Sequence, residues 1–593
     1  MCPRGRLIDL KDLRDTKDRT PAVGSGREET PAVDVPVLVV GGGPTGLATA
    51  LFLARHGVRC LLVERHTTTS PVPRATHVSR RSMELFREAG LEEEIRRAGF
   101  EVVREDDPRA RDRPGSFLPR VVLGATSLAG LHHAEVLETG EEELAVPGPC
   151  APFWCGQDRM EPLLAEAAAR NGADVRFGHE LTGLRTGPDG ARARIRAGAT
   201  GRTYTVDARY VVAADGAHGR IAERVGITRE GHGTLAHRVS VLFRAAPGAW
   251  DPTRRFFMCM IRNPGFDGAV MELNTPGHWC AAVDHDPALA EPDGTYTERT
   301  CRALVLAAIG DEHADAEIRT VFHWRARHRI AARYSAGPVF LVGDAAHLHP
   351  PSGGYGSNVG FQDAHNLAWK LAAVTGSWAG PGLLATYDQE RRPVGSATAQ
   401  QSMLLDGVPP QALGGARLCD PRTLIMGYRY RSTAVLGAPP GPAFPAAFAL
   451  TAEPGTRLPH LWLRTDAGTE VSTLDLCHGR LTLLSAHPAW ARAADRLADA
   501  TGLPVRGLHV AAGGGDLHDP SATFTAVCGT GPGGAVLVRP DGMVAWRTTD
   551  EEPPGPERAH ALLASVVGRV LCRPVPERAH IAHTTTRRTG SDG

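Results

Sequence analysis

A glycine-rich turn between apolar segments most strongly limits what this chain of 593 residues can fold into. Residues 37–40 are all apolar, residues 41–46 read Gly-Gly-Gly-Pro-Thr-Gly, and residues 47–56 have a helical pattern. A buried strand, a glycine turn and a helix in immediate succession are typical of the first unit of a dinucleotide-binding fold. The turn therefore predicts an α/β domain that binds a nucleotide cofactor.

The residues of this turn have separate expected roles. Gly41 permits the tight turn, Gly43 lets the backbone approach a pyrophosphate, and Gly46 lets the helix pack closely on the strand. The helix begins with Pro44 and Thr45, and its free N–H groups and positive dipole end would face the phosphates. We expect all five residues to bind the cofactor.

An acidic residue completes this first motif. Residues 58–63 read as a second buried strand that ends at Glu64, 23 residues after Gly41. A carboxylate at this place can bind ribose hydroxyls. Glu64 and the adjacent Arg65 are therefore candidate cofactor contacts, although this motif alone leaves FAD and NAD open.

Two later strands favour FAD. Asp215 and Asp344 each follow a short apolar strand, and Asp344 is followed by a glycine-rich loop at 350–358. A helical pattern begins near Asn358, a residue type that caps helix N-termini well, and runs to about residue 376. An acid at a strand end can bind a sugar alcohol, and the dipole of the helix can stabilise a reduced flavin.

With these motifs the chain resembles the single-component FAD-dependent aromatic hydroxylases of the p-hydroxybenzoate hydroxylase type, in the branch that modifies phenols and polyketides. The resemblance covers about residues 35–400. It rests on Gly41–Gly46 with Glu64, Asp215 with Gly216, Gly343–His347 with Pro350–Asn358, and the shorter segments Pro73–Ala75, Arg81–Glu84, Cys155–Glu161, Gln362–Ala364, Asn366–Leu371 and Tyr387–Pro393. A second resemblance, to the thioredoxin-like C-terminal domain of phenol and polyketide hydroxylases, rests on Asp475 with Leu476 and on Val538–Trp546.

The resemblance implies a further set of cofactor contacts. They are Arg74, Arg81, Gln157, Asp215, Asp344, Pro351, Gly354, Tyr355, Gly356, Ser357 and Asn358. It also implies that Pro350 presents a backbone carbonyl near the reacting edge of the flavin. No catalytic acid or base is implied, and the histidines near the motifs more often have structural roles; they are His77, His218, His347 and His349.

Two segments depart from the family pattern. After Asp215 the family usually has arginine, serine and arginine where this chain has His218, Gly219 and Ala222. That segment serves both FAD and the nicotinamide cofactor in the family. Tyr355 stands where family members often carry glutamine or phenylalanine. We therefore expect an unusual flavin environment and altered binding of the reductant.

The chemistry implied by the family is monooxygenation. NADPH or NADH reduces FAD, reduced FAD and O2 form a flavin hydroperoxide, and this species hydroxylates an aromatic or polycyclic, polyketide-like substrate. Other functions stay open at this stage: Baeyer–Villiger oxygen insertion, epoxidation or dehydrogenation on the same fold, FAD binding without turnover, and an NAD-dependent dehydrogenase that uses the first motif alone.

The expected fold class is α/β, with a Rossmann-type FAD-binding domain and an inserted mixed sheet that faces the substrate. We expect a leader without order at 1–33, the FAD-binding monooxygenase domain at 34–404 with its insert at about 236–330, a connector rich in Pro, Gly and Ala at 405–454, a thioredoxin-like α/β domain without redox cysteines at 455–573, and a tail without order at 574–593. On the inserted sheet, Phe257, Met260, Met271 and Trp279 are candidates for an apolar pocket, with core packing favoured for any single one.

Charge and cysteine usage limit the partners. The 66 basic and 66 acidic residues balance, so no basic field favours nucleic acid or an anionic membrane. The eleven cysteines include no Cys-x-x-Cys pair, which gives a metal site no support and fits a reducing cytoplasm. No apolar run is long enough to cross a bilayer. We expect a cytoplasmic protein that acts on a small molecule, and a homodimer is compatible with the sequence.

Overall fold

The strand before the glycine turn lies inside the first sheet of the computed structural model. In order across the sheet, the strands are His179–Gly187, Gly190–Ala197, Thr203–Ala213, Thr30–Val40, Cys60–Glu64 and Asp174–Phe177, with Val339–Leu341 and Ser335–Ala336 attached beside Thr203–Ala213. The strands that carry the three motifs run parallel, and Val40 lies opposite Ala213, which lies opposite Leu341. The three motifs therefore leave the sheet at one edge, where ligands bind in open parallel sheets.

The structure describes residues 30–104, 107–109, 117–246, 256–275, 277–286 and 296–575. Most of the predicted leader and of the predicted tail lies outside these ranges. Within the described part of the leader, the strand has already begun at Thr30, which pairs with Tyr204. The strand begins early because its long neighbour, Thr203–Ala213, offers pairing groups to these residues as well.

The second sheet contains the predicted insert. Its strands are, in order, His347–Leu348, Ala316–Ala331, Arg229–Ala245, His278–Asp284, Phe266–Glu272, Met258–Asn263, Val122–Ala125 and Glu135–Glu138. Two of these strands come from residues well before the predicted insert, and His347–Leu348 comes from the motif that follows Asp344. The sheet is thereby joined directly to the glycine-rich loop. Trp279 lies in its buried core, whereas Met260 is 41% exposed.

A seven-stranded mixed sheet forms the C-terminal domain. Its strands are, in order, Glu470–Ser472, Trp462–Arg464, Leu517–His518, Val505–Ala511, Leu481–Ser485, Ala535–Val538 and Val544–Thr548. A small sheet elsewhere joins His77–Val78, Phe153–Trp154, Phe100–Val103 and Phe117–Pro119.

The helices cover the sheets, and the connector contains only two short helical turns. The α-helices are Pro44–Arg55, Arg80–Glu88, Glu92–Ala98, Glu141–Leu144, Gln157–Arg170, Ile221–Arg224, Glu298–Ile309, Tyr355–Thr375, Ala385–Leu405, Pro488–Thr501, Phe524–Cys528 and Pro556–Val570. Shorter 3-10 turns are Leu131–His133, Gly343–Ala345, Pro381–Leu384, Pro410–Leu413 and Thr473–Leu476, and Thr423–Gly427 is a π-helix. In the described part of the chain, no helix has the length and apolar character needed to cross a membrane.

Candidate cofactor and substrate site

Two of the sequence motifs meet at the side chain of Thr45. A Cβ placed on Gly343 would lie 2.7 Å from Thr45 Oγ1, and one placed on Gly360 would lie 2.4 Å from it. The backbone can approach Thr45 this closely because both neighbours are glycines. The turn after the first strand, the Asp344 motif and the helix Tyr355–Thr375 are thus packed into one site.

The glycine turn has the geometry that its sequence predicts. Gly41 adopts a φ of +112°, and a Cβ there would lie 2.2 Å from the carbonyl oxygen of Ala214. A Cβ on Gly46 would lie 1.9 Å from the carbonyl oxygen of Gly41. Neither position could hold a larger residue without moving backbone.

The N-terminus of the helix Pro44–Arg55 is open toward the site. Gly43 is its N-cap, no side chain caps it, and its first turn holds no acidic residue. A Cβ on Gly43 would meet nothing within 4 Å. Free N–H groups beside open space form a binding site for an anion such as a pyrophosphate.

Glu64 lies against the same turn. Its Oε2 accepts a hydrogen bond from the Gly42 N–H at 2.7 Å, and its Oε1 accepts one from the His66 N–H at 2.8 Å. Burial would raise the pKa of Glu64, but the hydrogen bonds from His66 and Gly42 hold it below its usual range. The carboxylate is therefore ionised at the place expected for a ribose. Arg65, the next residue, is exposed.

The two acids at the other strand ends differ in their environment. Asp215 Oδ2 accepts a hydrogen bond from the Ile221 N–H at 3.0 Å, while Oδ1 is buried and has no partner among the described residues. Burial raises the pKa of Asp215. The side chain of Asp344 is exposed to solvent between buried neighbours, Gly343 and Ala345, although desolvation raises its pKa as well. A ligand in the site could therefore reach Asp344 directly.

The glycine-rich loop starts its helix earlier than the sequence predicts. The helix begins at Tyr355 rather than Asn358, because Gly353 and Gly354 have φ values of +86° and +67° and turn the chain first. The Gly354 N–H donates to the carbonyl of Pro351 at 2.9 Å, and Pro351 is exposed. The expectation that Asn358 is the N-cap was therefore wrong.

Asn358 instead joins the loop to a neighbouring segment. Its Nδ2 donates to the carbonyls of Gly354 and His77, at 2.8 and 3.0 Å. Its Oδ1 accepts from the Ser79 N–H at 2.9 Å and from Ser82 Oγ at 2.7 Å. These four bonds satisfy the side-chain amide in a site where it is buried, so Asn358 fixes the position of the loop.

Tyr355 is buried, whereas the next two residues, Gly356 and Ser357, are partly exposed. The Tyr355 ring folds over Gly353, since a Cβ there would lie 2.2 Å from ring carbon Cε2. Tyr355 is buried with Val146 and the connector, and burial raises the pKa of its phenol. Gly356 and Ser357 are only half-buried, and a Cβ on Gly356 would meet nothing within 4 Å. The backbone of these two residues is the accessible part of the helix start.

Arg74 and Gln157 are adjacent in the fold. The Gln157 N–H donates to the carbonyl of Arg74 at 2.9 Å, and Gln157 Nε2 donates to Glu161 Oε1 at 2.6 Å. Burial raises the pKa of Glu161, and the charge of Arg74 acts in the opposite direction. Arg74 is exposed, with its guanidinium 5.8 Å from the Phe322 ring centre on the second sheet. Arg74 therefore lies between the start of the helix Gln157–Arg170 and the second sheet.

Arg81 does not join these residues. It is buried at the contact with the C-terminal domain, where its Nη1 donates to Glu84 at 3.0 Å and its Nη2 to the carbonyl of Asp541 at 2.8 Å. Glu84 also forms an ion pair with Arg457. The prediction that Arg81 contacts the cofactor is thus wrong, because its guanidinium is buried between Glu84 and the C-terminal domain.

A buried acid supports the Asp344 motif, a role that sequence reasoning missed. Asp363 Oδ2 lies 2.5 Å from His347 Nε2 and accepts from the Gly343 N–H at 3.1 Å, while Oδ1 accepts from Arg391 at 2.7 Å. Burial would raise the pKa of Asp363, but His347 and Arg391 hold it below its usual range. His347 Nδ1 lies 2.9 Å from His349 Nε2. Asp363 and Arg391 are 28 residues apart, on two successive helices, so no local sequence pattern indicated that they pair.

The arrangement fits FAD. An open helix N-terminus beside Gly43, an ionised Glu64, an exposed Asp344 and the accessible backbone of Gly356 lie at one edge of the parallel sheet. Together they offer binding groups for a pyrophosphate, for sugar hydroxyls and for a flat ring.

Comparison with known proteins agrees with this geometry. A family model described as FAD binding domain matches residues 34–402, and one described as aromatic-ring hydroxylase, C-terminal, matches residues 451–574. Tetracenomycin A2 monooxygenase-dioxygenase of Streptomyces glaucescens is 41% identical over 552 residues, which cover 91% of this chain and 97% of that relative. Aklavinone 12-hydroxylase of Streptomyces purpurascens is 37% identical over 551 residues, which cover 90% of this chain and 99% of that relative.

Solved structures show the same architecture. A ternary complex of aklavinone-11 hydroxylase with FAD and aklavinone has a TM-score of 0.81 and 35% identity, covering 92% of this chain and 100% of that chain. The flavin-dependent monooxygenase PieE, in complex with FAD and substrate, has a TM-score of 0.79 and 33% identity, covering 92% of this chain and 100% of that chain.

Fold and site together define a flavin-dependent monooxygenase of the α/β class. The chain belongs to the family of FAD-binding aromatic-ring hydroxylases, among the polyketide hydroxylases. The family and the fold class predicted from the motifs are thereby confirmed.

Proposed function

We propose that this chain is an NAD(P)H-dependent hydroxylase of a polycyclic aromatic compound, with its site where the glycine loop meets the second sheet. The main support for the proposal is the packing of Gly343 and Gly360 against Thr45. This packing brings together the motif predicted to bind the nucleotide and the motif predicted to bind the flavin ring. The full-length likeness to enzymes named for tetracenomycin and aklavinone supports a polycyclic substrate.

The residues that would hold FAD divide by ligand group. The N–H groups that follow Gly43 would bind the pyrophosphate, and Glu64 would bind the ribose. Asp344 would bind the sugar alcohol, and the backbone of Gly356 and Ser357 would approach the ring. When bound, FAD supplies the redox chemistry and the activation of O2 that side chains cannot provide.

The protein would contribute positioning, electrostatics and exclusion of water. The positive end of the helix Tyr355–Thr375 would favour negative charge on the reduced ring. Asn358 would keep the loop in place through its four hydrogen bonds. The second sheet, which His347–Leu348 joins to the loop, would hold the substrate ring against it.

Oxidation of NADH and NADPH by the purified protein tests this function. The protein should be yellow, and consumption of the reductant in air should rise when a hydroxylated polycyclic quinone is added. Colourless protein that takes up no added FAD would exclude FAD dependence. Yellow protein whose oxidation of NADH and NADPH responds to none of a panel of phenols and polycyclic quinones would argue for FAD binding without turnover.

A further inference from the structure

A buried polar cluster lies beside the glycine loop, outside every sequence motif that we assigned to the cofactor. The short helix Glu141–Leu144 brings Glu143 against His77, and the two residues are 6% and 7% exposed. His77 Nε2 lies 3.5 Å from Glu143 Oε1, and Arg120 Nε lies 4.0 Å from Glu143 Oε2. We call Glu143, His77 and Arg120 the polar cluster.

The polar cluster is incomplete as it stands. Among the described residues, His77 Nε2, Glu143 Oε1, and Arg120 Nε and Nη1 are buried without a hydrogen-bond partner. The separation of 3.5 Å between His77 and Glu143 is too long for a good hydrogen bond. Buried polar atoms in native proteins are almost always satisfied, so these four atoms are groups that a bound polar ligand or ordered water would satisfy.

The polar cluster lies between the proposed flavin site and the second sheet. On one side, a Cβ on Gly354 would lie 3.3 Å from His77 Cβ, so the cluster touches the glycine loop. On the other side, the Arg120 guanidinium lies 4.3 Å from the ring centre of Phe257, the residue before the strand Met258–Asn263. Trp154 packs edge-on against the same ring at 4.4 Å. An aromatic wall therefore adjoins the unpartnered polar atoms.

The chemistry of these atoms specifies the ligand. Arg120 offers unpartnered N–H donors, which suit a carbonyl or phenolate oxygen. Glu143 offers an unpartnered acceptor, which suits a hydroxyl group. Burial would raise the pKa of Glu143, but His77 and Arg120 hold it below its usual range, so it acts as an acceptor.

We propose that the polar cluster is the subsite for a hydroxyl group next to a carbonyl or phenolate oxygen on a polycyclic aromatic substrate. Arg120 donates to the carbonyl or phenolate oxygen, and Glu143 accepts from the neighbouring hydroxyl. Phe257 holds the Arg120 guanidinium in place from the side of the second sheet. This inference rests on the proposed function, which it extends by naming the oxygen pattern that the enzyme selects.

Binding to the flavin-loaded enzyme tests the inference without turnover. The probes are 1,8-dihydroxyanthraquinone and 1,8-dimethoxyanthraquinone. Their binding is measured by the quenching of flavin fluorescence. The wild type should bind the dihydroxy probe at least tenfold more tightly, because methylation removes the hydroxyl donor. Glu143→Gln should reduce that ratio about tenfold. Arg120→Met should weaken the binding of both probes about tenfold, because both carry the carbonyl oxygen to which Arg120 would donate. Glu138→Gln is the matched control, since Glu138 also bonds Arg120, at 3.0 Å, but is 55% exposed in its side chain.

Equal binding of the two probes by the wild type would overturn the inference, whatever the variants do. At normal flavin content, an unchanged ratio in Glu143→Gln, or unchanged affinity for the dihydroxy probe in Arg120→Met, would overturn it as well. Failure of the wild type to bind either probe would also count against it. If reductant oxidation still responds to other aromatic compounds in these cases, the proposed function stands and only the subsite is wrong.

Discussion

Arg539 of the C-terminal domain forms a two-pronged ion pair with Glu390 of the helix Ala385–Leu405, at 2.6 and 2.8 Å. Both side chains are fully buried. Lys370 and Asn366, on the helix that follows the glycine loop, also donate to Glu390, at 2.7 and 2.8 Å. The C-terminal domain is therefore anchored to the helix whose N-terminus faces the proposed flavin site.

Arg539→Met should destabilise the protein strongly. Arg539 pairs with both Glu390 and Asp541. Without it, Lys370 alone faces these two buried carboxylates, and one uncompensated buried charge costs about 3–5 kcal/mol. The free energy of unfolding, measured with urea, should fall by this amount, and the variant should hold FAD less tightly. Arg496→Gln removes an exposed ion pair with Glu557 and should leave stability nearly unchanged. Equal stability of the two variants would show that the buried pair does not anchor the domain.

Gly43→Ala should weaken FAD binding while leaving the fold stable. A Cβ at this position meets no protein atom but enters the space proposed for the pyrophosphate. We expect FAD affinity to fall at least tenfold, with the unfolding temperature of the apoprotein nearly unchanged. Gly187→Ala, also in open space but on a distant hairpin, should retain FAD normally. Normal FAD affinity in Gly43→Ala would place the pyrophosphate elsewhere.

Stability should fall as the solution becomes acidic, partly because of His328. Burial lowers the pKa of His328 from 6.5 to about 4, and its Nδ1 accepts a hydrogen bond from the His232 N–H at 3.2 Å. The unfolded chain binds this proton more readily, so the contribution of His328 is complete above pH 6.5 and is lost as the pH falls toward 4.

His328→Asn should therefore be less sensitive to acid. Between pH 7 and pH 5, its free energy of unfolding should fall by about 1–2 kcal/mol less than that of the wild type. His313→Asn changes a fully exposed histidine side chain, 87% accessible, and should follow the wild type. If His328→Asn shows the same loss as the wild type, proton uptake at His328 does not contribute.

Features that depend on neighbouring residues could be predicted from the sequence. Gly41 and Gly46 lie within one turn, and the steric reason for each glycine acts over a few residues. The parallel strands could be recognised as runs of apolar residues, because helices bury both faces of a parallel sheet. The resemblance to a family then supplied the order of the domains, which local patterns do not contain.

Features that depend on distant contacts could not be predicted. Arg81 was assigned to the cofactor by its motif, but its partner Asp541 lies 460 residues away. Asn358 has the residue type of an N-cap, yet the left-handed turn at Gly354 moves the helix start and leaves the side chain to bond His77. Glu143 carried no sequence signal because its neighbours, His77 and Arg120, come from distant segments of the chain.

The source of the inserted oxygen tests the central claim most directly. We would incubate the flavin-loaded enzyme under ¹⁸O₂ with a hydroxylated polycyclic quinone and NADPH or NADH. The mass of the product is then measured by mass spectrometry. The account predicts one labelled oxygen, bound to a ring carbon as a hydroxyl group. Product whose new oxygen comes from water, or a product dehydrogenated without any added oxygen, would contradict it.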